Sequence, residues 1–99
     1  MEEFKLDRIK IVTEVMCKNF NVEVGDLNNI LKKKENKYLF FLLLRNYKCL
    51  DKEKLKKLIE KVSDRSINYS LNKGEEKLLV NKQFRDNYIR VEEIIDEII

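Results

Sequence analysis

Histidine is absent from the 99 residues, which removes the side chain that most often serves as general base, activates a nucleophile or holds zinc. Cys17 and Cys49 are two distant thiols, too few for a structural zinc site. With only two glycines the chain has no glycine-rich phosphate loop. Its acidic pairs, Glu2 with Glu3, Glu75 with Glu76 and Glu92 with Glu93, are sequence neighbours on charged helical stretches and so point in different directions. No enzymatic activity, metal or cofactor is expected. The chemistry that remains is hydrogen bonding from one short stretch: Arg65, Ser66, Asn68, Tyr69 and Asn72. On a helix whose Ile67 and Leu71 face inward, these side chains point outward. Arg matches guanine edges, Asn matches adenine edges or phosphates, and Ser and Tyr most often contact phosphate.

Such a helix must be held against a core by a preceding one. Leu55, Leu58, Ile59 and Val62 recur at i, i+3, i+4 and i+7, predicting an amphipathic helix with Lys52, Lys54, Lys56, Lys57 and Lys61 outward. Asp51 is placed to cap its start. A break at Ser63 and Asp64 separates it from the polar-faced helix, so residues 52–73 read as a helix-turn-helix. The small residue usual in such a turn is missing, since Glu60, Lys61, Val62 and Ser63 stand there. Gly74 either ends the second helix or weakens it by about 1 kcal/mol relative to Ala. Ile67, Leu71, Leu78 and Leu79 form its expected inner side.

Charge is distributed to suit this reading. The net charge is only +3, but residues 32–61 hold 11 basic and 4 acidic side chains, against 1 and 5 in residues 86–99. Lys37, Lys56, Lys57, Lys61 and Lys73 are the expected phosphate contacts, because neutralising phosphates is what a basic approach surface does. A plainer account of the same lysines is a solvated surface.

The other elements are also helical. With 43% hydrophobic and 39% charged residues, two Gly and no Pro, the chain lacks the punctuation that hairpins need. An all-α bundle of about five helices in a single domain over residues 1–99 is expected. Residues 4–20 carry Ile9, Val12, Val15, Met16 and Phe20 on one face. An extended link follows, then a brief helical turn with Leu27, Ile30 and Leu31 that Asp26 or Asn28 could cap. The seven apolar residues 38–44 are too few to span a bilayer, which takes roughly 20, and read as a central helix surrounded by the others. Residues 82–99 place Phe84, Tyr88, Val91, Ile95 and Ile98 at heptad-like spacing, a helix expected to pack back on the central one, with a homodimer seam as the sharper alternative. No secretory signal is evident, so a cytoplasmic location with both thiols reduced is expected.

The order of these elements resembles a known family. The helix ending FNVEVGDL, the core helix KYLFFLLLRNYKCLD, the amphipathic LKKLIEKV and then DRSINYSLNKGEEKLL look like the C-terminal DNA-binding domain of the bacterial replication initiator DnaA. They also resemble the tail module of REP-associated tyrosine transposases and the wider group of Trp-repressor-like helix-turn-helix domains. The similarity runs over about residues 9–95, as pattern more than identity. Ser66 followed by Ile67 is the nearest match to the Thr-Val of the initiator's signature, whose His has no counterpart here. The resemblance implies a duplex DNA-binding protein, a regulator of transcription or replication. The alternative is a helical module that binds a protein partner and no DNA.

Overall fold

Seven consecutive core side chains, from Tyr38 through Leu44, are all buried, and the other described helices are arranged to surround them. The computed structural model describes residues 7–99. Within them lie six α-helices: α1 (Arg8–Asn19), α2 (Leu27–Ile30), α3 (Lys34–Asn46), α4 (Lys52–Leu58), α5 (Asp64–Val80) and α6 (Lys82–Ile98). A single 3-10 turn, Val24–Asp26, precedes α2. The fold is all-α, the five longer helices expected from the sequence together with the brief helical turn expected at Leu27, which is the four-residue α2. The expected start of the first helix at Phe4 lies outside the described residues.

Local signals account for most helix ends. Asp7 caps α1 by accepting the Lys10 N–H, and Asp51 caps α4 by accepting those of Glu53 and Lys54. At the far ends of α1 and α3, Asn21 (φ 58°) and Lys48 (φ 57°) take the left-handed conformation. Val22 N–H then donates to the Cys17 carbonyl and Cys49 N–H to the Leu44 carbonyl, which satisfies carbonyls the helices would leave open.

Gly74 neither ends α5 nor serves as a mere weak point. It is buried in mid-helix where α5 crosses α3, and a Cβ built on it would lie 2.6 Å from Cδ1 and 2.8 Å from Cγ of Leu42. The absence of a side chain is what lets the two helices approach. Ile67, Ser70 and Leu71 complete the inner face of α5. Leu79, expected inside, is instead 81% exposed, because it lies about 100° around the helix from half-buried Leu78.

The last helix packs back on the central α3, as expected, and more extensively on α1 and α5. Phe84, Val91 and Ile95 are buried and Tyr88 half-buried, but Ile98 is 52% exposed where the helix outruns the core. A polar tie joins it to the end of α3: the Tyr47 hydroxyl donates to the Asp96 carboxylate at 2.6 Å, with the Glu92 carbonyl oxygen 3.0 Å away. Burial first, then that carboxylate, push the Tyr47 phenol far above its ordinary range. No described helix is long and apolar enough to cross a membrane.

Candidate nucleic-acid interface

The link between α4 and α5 is where sequence pattern and structure part most. The apolar spacing through Val62 predicts a helix to that point, yet α4 ends at Leu58 and Ile59 is extended (φ −118°, ψ 133°). Lys61 then takes φ 56°, the left-handed conformation a glycine would adopt without strain. The turn therefore has its special position, occupied by lysine. Asn28 holds the link in place from α2: its amide donates to the Leu58 carbonyl at 3.2 Å and its oxygen accepts the Glu60 N–H at 3.0 Å. Sequence reading assigned Asn28 only a local cap, and nothing local signals a bond across 30 residues.

Ser63 and Ser66 form a reciprocal capping box that starts α5. Ser63 Oγ accepts the Ser66 N–H, and Ser66 Oγ accepts the Ser63 N–H at 2.9 Å while donating to the Ser63 carbonyl. Ser66 is thereby half-buried in the cap, and its hydroxyl is already engaged there instead of facing outward with the others.

Arg65, Asn68, Tyr69 and Asn72 are all exposed on the outer side of the first turns of α5. Among the described residues nothing covers them. Tyr69 is 54% exposed, and Lys73 Nζ lies 5.8 Å from its ring centroid. Lys73 is also 3.6 Å from Glu76, so its charge is shared. Beneath them Tyr38 is buried, which raises its phenol pKa, and neighbouring Tyr69 raises it further. Asp64, the acidic residue of the first turn, faces Lys52 at 3.7 Å.

The five lysines assigned to phosphate divide into groups. Lys37 and Lys61 meet, with Lys32, around a 220 Å³ pocket that Asn28, Ile59 and Glu60 also line. Lys56 is exposed on α4. Lys57 lies elsewhere: it lines a cleft between α4 and α1, roughly 140° around α4 from the Lys52 that faces α5. Lys32 belongs to the polar run 32–37, from which only Lys37 was assigned to phosphate.

No family model matches the chain, and no curated protein or solved structure matches it either.

Two features bear on competing chemistry. Burial, the leading cause for both, pushes the Cys17 and Cys49 thiols above their ordinary pKa, which disfavours the thiolate a nucleophile needs. Among the described residues no group of three or more His, Cys, Asp or Glu side chains could hold a metal ion. The outer side of α5 also changes character along its length, since Glu76 is exposed and Leu79 and Val80 are 81% and 77% exposed. Polar donors occupy its N-terminal part, acid and apolar groups its C-terminal part.

Proposed function

We propose that α4, its link and α5 act as a helix-turn-helix that binds duplex DNA, with the start of α5 in the major groove. The observation that carries this reading is the group Arg65, Asn68, Tyr69 and Asn72, exposed on one side of a helix anchored by Ile67, Leu71 and Gly74. Donors at the N-terminal end of a core-anchored helix are what groove entry requires. Lys37, Lys61 and Lys32 flank the link, and Lys56 lies on α4, all as phosphate contacts. Ser66 orders the helix through its cap, and Lys73 supports Tyr69. The resemblance to the DnaA C-terminal domain and to Trp-repressor-like domains favours the same function, a bacterial regulator of transcription or replication working in the cytoplasm without catalysis.

Fluorescence anisotropy against mixed-sequence duplex across a salt series tests it. Binding should weaken steeply with salt, and Lys37→Ala or Lys61→Ala should each lower the salt slope by about 1. Arg65→Ala should reduce discrimination among sequences selected from a random pool, a loss of about 1–3 kcal/mol at the base it reads. Lys57→Ala should leave binding unchanged. An absence of salt-sensitive binding at low ionic strength overturns the proposal.

A second reading is favoured by Leu79 and Val80, large apolar side chains left open beside Glu76. They suit contact with a protein partner. Ile94 and Ile98 on α6, 39% and 52% exposed, similarly suit a homodimer seam through residues 82–99. A partner-only module would keep its fold in the Arg65→Ala variant and show no DNA binding in either form.

A further inference from the structure

The outer face of α6 carries Arg90, Ile94, Glu97 and Ile98 at i, i+4, i+7 and i+8, one side of a helix. Ile94 and Ile98 form one wall of a 480 Å³ groove, and Ile11, Glu14, Val15 and Lys18 of α1 line the other. The two helices run antiparallel. Asn19, at the end of α1, donates to Asn87 in the first half of α6, while Ile11, nearer the start of α1, shares the groove with the isoleucines of the second half. Lys18 and Arg90 therefore stand at one end of the face and Glu97 at the other, with Glu14 between them. Among the described residues none of these four charges makes an ion pair, and Asp86, one turn before Arg90, is held by Lys82 at 2.8 Å.

We infer that this face binds a second copy of the chain, with the two α6 helices antiparallel about a two-fold axis at Ile94. The polarity of the face selects the occupant. A two-fold rotation brings the Glu97 end of each copy onto the Lys18 and Arg90 end of the other, so both ends are paired at once around a centre of isoleucine. Spacing agrees, since Glu97 lies about 4.5 Å beyond Ile94 along the helix and Arg90 about 6 Å before it, which sets each Arg90 nearly level with the other copy's Glu97. A parallel pair would instead oppose Arg90 to Arg90 and Glu97 to Glu97. A phosphate backbone or an anionic membrane would meet the carboxylates together with the cations. The 17 residues of α6 run about 25 Å, and with α1 roughly 10 Å beside it the face presents on the order of 500 Å² per copy. A pair then buries about 1,000 Å², the lower bound for a specific interface, which predicts a weak dimer. The inference rests on the α6 seam of the second reading, gives it a direction, and uses none of the residues assigned to DNA.

Sedimentation equilibrium of the full chain, from about 1 μM to about 1 mM, tests it. The wild type should dimerise with a Kd of about 10–100 μM. Ile94→Arg, at a side chain already 39% exposed, should keep the helical circular dichroism of the parent and stay monomeric throughout. Arg90→Glu and Glu97→Arg should each weaken the dimer at least about tenfold, because each turns two attractions across the axis into repulsions. The double exchange of Arg90→Glu with Glu97→Arg should return the Kd to within about threefold of the parent, since an antiparallel pair again opposes unlike charges. A chain still monomeric at the highest concentration leaves the groove to another occupant and overturns the inference. A dimer indifferent to Ile94→Arg lies elsewhere and overturns the seam with it. A dimer lost in Ile94→Arg but unmoved by the single charge changes, or not restored by the double exchange, keeps the seam and overturns the antiparallel pairing.

Discussion

Replacing Gly74 by alanine sets two effects against each other at the α3–α5 crossing. Alanine is favoured over glycine in a helix interior by about 1 kcal/mol. The new Cβ, however, would sit 2.6 Å from Leu42 Cδ1 and 2.8 Å from Cγ, whereas carbon atoms pack best at about 3.5–4.0 Å. Leu42 is 2% exposed and has no solvent to swing into, so relief must come from moving the helices, at about 1–3 kcal/mol for overpacking a core. The variant should therefore lose about 1 kcal/mol where an open helical site would gain as much. Leu42→Ala alone should cost about 2–5 kcal/mol, but it removes all three atoms that the new methyl meets. In that background Gly74→Ala should become stabilising by about 1 kcal/mol, so the two changes should couple by roughly 2 kcal/mol. Urea unfolding of the four proteins, compared at constant m value, measures both signs. If Gly74→Ala stabilises the parent, or if the two effects simply add, the close approach is not what holds glycine at this position.

Two further perturbations separate roles that share a residue. Lys61→Gly relieves the left-handed strain at the link and should stabilise the fold by about 0.5–1 kcal/mol in thermal unfolding. It should nonetheless weaken DNA binding through the lost cation, whereas gain or loss of both together would refute the division. Tyr47 and Tyr88 hold their phenols protonated above the ordinary range, Tyr88 up to about 12, chiefly through burial. A folded pKa above the unfolded value of about 10 gives stability that is complete below pH ~10 and declines as pH rises beyond it. Tyr47→Phe should cost about 1–3 kcal/mol at neutral pH by unpairing Asp96, with a shallower fall in melting temperature above pH ~10. An unchanged alkaline slope would show that Tyr47 does not titrate with unfolding.

What the sequence made legible was whatever depends on neighbours in the chain. The central helix followed from an apolar run with no polar face, and the Asp51 cap and the inner residues Ile67 and Leu71 followed from spacing. The early end of α4 did not, because Leu58, Ile59 and Val62 keep helical spacing while the backbone leaves the helix, each still reaching the core by another route. Gly74 was ambiguous because a glycine needed for clearance and one that ends a helix look alike without the opposing Leu42. Lys57 was grouped with the other lysines because charge counts carry no direction, and only the pose of α4 turned it toward α1. The four outward side chains of α5 were found from periodicity alone, whereas Ser66 was claimed by its cap.

The Asn28 clasp has a consequence for modularity. The shape of the segment from α4 to α5 is imposed by a side chain on α2, through bonds to Leu58 and Glu60, over a lysine strained at φ 56°. A peptide spanning only residues 52–80, or a graft of it onto another scaffold, would keep every outward-facing donor and lose the angle between the helices that presents them. The proposed reading element would in that sense not be portable, since what fixes the pose of its helices begins upstream, at Asn28.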